Sequence, residues 1–143
     1  MLALFQMLDL EHGSITIDGV NLCTVSRNVV RSRLNCLTQE RFFIPQTIRA
    51  NMVLGFTLQD EDIIVALKKV NIWEAVQAKG GLDAELSPDS WSAGQQQLLC
   101  FARAMLRKCS VLVIDEASSR LVGRCPFPLL SSEYATWIAN RRI

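Results

Sequence analysis

Two short stretches hold residue types whose spacing suits phosphate chemistry. Asp115 and Glu116 directly follow Val111-Leu-Val-Ile114, so a buried strand would deliver two carboxylates to its C-terminal edge, where open α/β sheets bind ligands. There the first acid can hold Mg²⁺, directly or through water, and the second can orient an attacking water. Taken alone, the pair more often marks a buried strand that simply surfaces at its polar end, because such junctions are common. The second stretch, Ser92-Ala-Gly-Gln95, fits the S-x-x-Q capping box. Its free amides and small glycine would make the helix start an anion site, although the same tetrapeptide serves as an ordinary cap.

The elements that must carry these residues are legible from periodicity. After the box, Leu98, Leu99, Ala102, Met105 and Leu106 share one helical face. The apolar run 109–114 then has the length and continuity of a fully buried parallel strand. Gln95 and Asp115 are 20 residues apart, room for that helix, a turn and that strand. The antiparallel run of such a unit is expected to set the capped helix end far from the carboxylates. The two features would then serve different phosphates, which implies a second copy.

Upstream, Leu2, Leu4, Phe5 and Leu8 form a helical stripe that reaches His12-Gly13, a helix stop. Ser14-Ile-Thr-Ile17 alternates, and Asp18-Gly19 turns it into a short antiparallel hairpin that resumes at Val20. Residues 29–34 suit a short helix and 34–38 a strand, which ends at Gln39-Glu40. Phe42-Phe43-Ile44-Pro45 is an apolar loop, and its two phenylalanines suit either the core or a docking surface. The acids Asp60-Glu61-Asp62 open a helix with Ile63, Ile64, Leu67 and Val70 on one face and Lys68-Lys69 at its end, both charges matching the helix dipole. Arg103 and Arg107 are expected as solvated helix positions. No element is assigned over 123–143.

Composition narrows the class. The chain has 143 residues and a net charge of +1, with 50% hydrophobic and 20% charged residues, enough apolar material for one domain. Near-neutral charge without a basic cluster argues against a nucleic-acid partner. The longest uncharged stretch, 90–102, is 13 residues, short of the ~20 that span a bilayer. Five cysteines in unpaired spacing, mostly inside apolar runs, read as reduced core residues of a cytosolic protein. With His12 the only histidine, no zinc site is expected.

Several of these motifs, in this order, resemble the nucleotide-binding domain of an ABC transporter, most closely the C subfamily of multidrug-resistance-associated type. Trp91-Ser-Ala-Gly-Gln95 resembles the LSGGQ signature, followed by Gln96-Gln97-Leu98 and Ala102-Arg103-Ala104 as in that family. Val111-Leu-Val-Ile-Asp-Glu116 resembles Walker B with its adjacent catalytic glutamate, and Gln39 resembles the Q-loop glutamine. Ser14-Ile-Thr-Ile-Asp-Gly19 resembles the preceding hairpin, and Pro45-Gln-Thr-Ile-Arg-Ala-Asn51 the segment that faces the transmembrane domain. The resemblance implies an α/β fold, a partial P-loop NTPase-like ABC ATPase domain with an antiparallel hairpin, a helical signature subdomain and a parallel core strand.

It also implies roles. Glu116 would be catalytic, Asp115 and Gln39 would contact Mg²⁺, and Gln39, Ser92, Ala93, Gly94 and Gln95 would contact ATP. The partners would be a second nucleotide-binding domain, head to tail, and the transmembrane domains of an exporter, with the ATPase domain at the cytosolic face of a membrane. The resemblance covers 1–122, and 123–143 reads as a divergent tail, poorly ordered. Three departures temper it. No G-x-x-x-x-G-K-[ST] phosphate loop occurs in the 143 residues, residues 1–10 resembling the helix that follows it. Val122 stands where the D-loop has aspartate, and the switch histidine has no counterpart. The alternative is therefore a catalytically inactive remnant that acts as an interaction module, and ATP binding by this chain alone is expected to be weak.

Overall fold

Acids at its start and lysines at its end favour a helix over Asp60–Lys69, and its apolar face, Ile63, Ala66 and Leu67, is buried. Its last turn closes when Ile72 N–H donates to Leu67 O and Asn71 N–H to Lys68 O, with Asn71 at φ 57°, the two-bond helix ending that a left-handed residue permits. The computed structural model describes residues 2–37, 40–55, 57–107, 109, 111–114 and 135–137. In chain order its elements are β1 (Thr16–Ile17), β2 (Val20–Asn21), α1 (Arg27–Arg33), β3 (Leu34–Leu37), α2 (Ile48–Val53), α3 (Asp60–Lys69), α4 (Trp73–Ala78), α5 (Ala93–Leu106), β4 (Val111–Ile114) and β5 (Ala135–Trp137).

β1 and β2 form the expected antiparallel hairpin. β3, β4 and β5 form a parallel sheet with β4 central, in which Leu34 pairs with Val111, Leu37 with Ile114, and Val111 with Ala135. Successive residues of the sheet face opposite sides, and both sides are covered. Leu34, Val111 and Val113 join a small core with Leu22 and Val30. Leu37 and Leu112 join a larger one with Ile48, Ile63, Leu67, Val76 and Leu99 from the helices. This two-sided burial explains why 111–114 is continuously apolar instead of alternating.

Four elements differ from the sequence reading. Residues 2–6 form a turn in place of a helix reaching Gly13: Met7 N–H donates to Leu2 O and Gln6 N–H to Ala3 O, with Gln6 at φ 50°. This is the same helix-ending pattern as at Asn71, and Arg31 completes it by donating to Phe5 O and Gln6 O. The helices α2 and α4, six residues each, went unassigned because so short a segment shows little more than one turn of periodicity. β5 lies in the tail, where no element was assigned; three residues suffice because β4 supplies the whole hydrogen-bond template.

Asn51, fully buried, organises the loop before α2. Its amide nitrogen donates to Ile44 O at 2.9 Å and Thr47 O at 3.1 Å, and its oxygen accepts from Ile44 N–H at 2.9 Å. Arg49 joins α2 to Asp60 at the start of α3 and to Asp83. Of the cysteines, Cys109 is buried, Cys36 and Cys100 are half-buried, and Cys23 is exposed, which corrects its reading as a core residue. Among the described residues no helix is long and apolar enough to cross a membrane, and no cluster of His, Cys, Asp and Glu side chains could hold a metal ion.

Candidate functional site at the start of α5

Ser92 caps α5 and the box is complete: Gln95 N–H donates to Ser92 Oγ at 3.2 Å, and Ser92 N–H donates to Gln95 Oε1 at 3.0 Å. Gln96 N–H reaches Ser92 O at 2.9 Å. The amides of Ala93 and Gly94, the first two of the helix, have no acceptor within it by helix geometry, and both residues are exposed. A Cβ built on Gly94 meets nothing within 4 Å. The chain's own packing thus gives no reason for a glycine here, and the open space leaves the backbone approachable by a ligand or a partner. The positive end of a 14-residue helix adds its dipole to the two amides.

The approach to this turn is fixed by side chains on both sides. Trp91 is buried, 4% exposed, with the Lys79 ammonium 5.0 Å from its ring centroid; its indole N–H has no partner among the described residues. Gln96 donates to Pro88 O at 2.8 Å and Trp91 O at 3.1 Å. Arg41 Nη1 donates to Ala93 O at 3.3 Å and Gln96 Oε1 at 3.1 Å. Sequence reasoning missed Arg41 and Gln96, since an arginine in a loop and a glutamine on a helix carry no periodic signal.

Arg103 and Arg107 are not solvated as expected. Arg103 Nη1 donates to Phe42 O at 2.8 Å, and its guanidinium lies 5.1 Å from the Phe43 ring centroid. Arg107 donates to Arg31 O. Burial lowers the Arg103 pKa, and it raises that of the half-buried Cys100 thiol against the opposing charges of Arg103 and Arg41. Of the two phenylalanines, Phe43 packs on the larger core, whereas Phe42 is 66% exposed and not a core residue. Phe42 rims a groove of about 220 Å³ whose lining includes Leu37, Met52, Leu58, Cys100 and Arg103.

Gln39, Asp115 and Glu116 lie outside the described residues. The strands that lead to them, β3 and β4, end side by side at Leu37 and Ile114. Asn35 Nδ2 donates to Ala104 O at 3.2 Å, so the last turn of α5 lies beside the second residue of β3. Running back to Ala93, α5 rises about 16 Å, while β3 continues only about 7 Å to Leu37. Antiparallel direction therefore brings the helix start to the side where both strands end, contrary to the sequence argument. The greater length of α5 is what carries its first turn past them.

The structure thus joins a capped, unhindered helix start to a pair of parallel strands that end on the same side. A family model described as ABC transporter matches residues 1–119. The chain belongs to the ABC transporter family. It is 44% identical over 121 residues to ABC multidrug transporter B of Aspergillus fumigatus, an alignment that covers 85% of this chain and 8% of that protein. It is 36% identical over 120 residues to the putative ABC transporter C family member 15 of Arabidopsis thaliana, covering 82% of this chain and 11% of that protein. The ABC chain thus spans about a tenth of the length of these curated relatives. The structure of a bacterial Atm1-family ABC exporter with ATP bound superposes with a TM-score of 0.83 at 26% identity, covering 98% of this chain and 26% of that one.

Proposed function

We propose that this chain is the signature-bearing part of the ATP-binding, ATP-hydrolysing domain of an exporter of small molecules, of the C subfamily. The observation that carries the reading is the start of α5: two exposed amides without helical acceptors, held by a complete capping box, beside a glycine whose missing side chain leaves the space open. That arrangement fits a phosphate oxygen. In this reading Ser92, Ala93, Gly94 and Gln95 contact the γ-phosphate of ATP held by a second nucleotide-binding domain packed head to tail. Gln39 and Asp115 would hold Mg²⁺, and Glu116 would orient the attacking water in the chain's own domain. The transmembrane domains would rest on the groove rimmed by Phe42, where an exposed aromatic ring borders apolar walls. Residues 1–122 are taken as ABC domain, 123–143 as a divergent tail that contributes β5, and the domain as lying at the cytosolic face of a membrane.

The test is to mix the chain with a nucleotide-binding domain that carries an intact phosphate loop and a hydrolysis-blocking substitution. A complex that needs MgATP and is lost with Gly94→Asp is expected; a complex indifferent to Gly94→Asp overturns the reading. Val122 at the D-loop aspartate position favours a second reading, an inactive interaction module. Complex formation without any gain in hydrolysis, once the partner's own catalytic glutamate is restored, distinguishes it.

A further inference from the structure

We propose that Arg41 is a positioning residue that locks the segment following Gln39 onto the first turn of α5, so that a displacement of either is transmitted to the other. One guanidinium nitrogen makes the join, donating both to Ala93 O and to Gln96 Oε1. Gln96 has its amide group fully engaged, since its nitrogen donates to Pro88 O and Trp91 O, the carbonyls of the approach to Ser92. Arg41 thus grips the helix start directly and the approach to it through Gln96. Farther along the same helix, Arg103 holds Phe42 O and covers the Phe43 ring. Residues 41–43 are fastened to α5 at two points about two turns apart, and helix and segment move as one body. Its functional consequence rests on the reading above: Gln39 would serve the nucleotide of its own domain and Gly94 that of the partner, so Arg41 would link the two nucleotide sites of a dimer.

The latch itself is testable on the whole chain without nucleotide, by amide hydrogen exchange. Losing the charge-assisted bonds in Arg41→Met should speed exchange at the Gln95 and Gln96 amides about three- to tenfold, with Leu99 and Ala102 unchanged. Gln96→Met should do the same from the other side, and it serves as the probe should Arg41→Met fold poorly. Arg41→Lys, a single-point donor, should fall between. Coupling is read with Ser92→Ala, which loosens the helix start: it should speed exchange at the Ile44 amide, and this effect should shrink in the Arg41→Met background, where only the Arg103 contacts remain. An equal effect of Ser92→Ala on Ile44 in both backgrounds overturns the proposal, as does unchanged exchange at Gln95 and Gln96 in both methionine variants. With no nucleotide present, these outcomes are independent of whether α5 contacts a partner's phosphate.

Discussion

Gly94 sits in a helix where alanine would fold better, because its Cβ would meet open space and glycine costs up to ~1 kcal/mol relative to alanine within a helix. Gly94→Ala is therefore expected to raise the thermal midpoint slightly while weakening the ATP-dependent complex. A calorimetric scan and a binding titration on the same variant read the two effects, and a lowered midpoint would show that the glycine serves the fold. Asn51 is the opposite case, a polar side chain kept for structure. Asn51→Leu leaves Ile44 N–H without its acceptor and takes one of two donors from Ile44 O and from Thr47 O, which keep the amides of Gln46 and Asn51; an unsatisfied group costs ~1–3 kcal/mol, so denaturant unfolding should show a loss of at least about 1 kcal/mol. Ser92 and Gln95 were legible because a capping box has a fixed spacing. Asn51, Arg41 and Arg103 were not, because their partners are backbone carbonyls and side chains brought near only by the tertiary fold.

At the scale of elements, α3 and α5 were readable from the sequence because each has the length to show an apolar stripe and charges or a cap at its ends. The face of α5 was read only in part: Leu99 and Ala102 are buried, but so are Phe101 and Ala104, while Leu98, Met105 and Leu106 are half-buried. The helix meets the sheet on one side and α2 and α3 on others, so a single stripe understates its buried surface. This packing places Cys100 between the groove and the core. Its thiol, held above the ordinary value by burial, should alkylate appreciably only at a pH higher than a free thiol needs, whereas an unfolded chain reacts in the ordinary range. The same shift makes Cys100 a contributor to stability that is intact below the ordinary thiol pKa and declines as pH rises toward the folded one. Site-resolved mass spectrometry after brief iodoacetamide treatment across the alkaline range checks this, and labelling at the pH of a free thiol would contradict it.

For the whole molecule, the parallel sheet divides two cores, and its C-terminal edge and the start of α5 lie on the same side, the first turn of α5 reaching about 9 Å beyond the strand ends. The function proposed above divides a complete ATP site between two copies placed head to tail, the α5 start of one serving the nucleotide of the other. A homodimeric ABC exporter carrying residues 1–119 in place of its matching segment tests this division of labour. In that reading Gly94→Asp would put bulk and negative charge at the partner's phosphate, so hydrolysis should collapse while nucleotide binding to the variant's own phosphate loop persists. With Glu116 orienting the water as proposed, Glu116→Gln should abolish hydrolysis yet leave the ATP-bound dimer stable. When the two variants are mixed, a heterodimer contains one composite site with both lesions and one with neither. Partial recovery of ATP hydrolysis is the expected outcome, because the intact site pairs the first variant's glutamate with the second variant's signature. A mixture that forms heterodimers and stays inactive would mean either that the signature acts on its own domain's nucleotide or that one intact site does not suffice. A tandem-linked dimer carrying both lesions in one copy then separates these: if the signature acts in trans, each of its sites holds one lesion and it stays inactive.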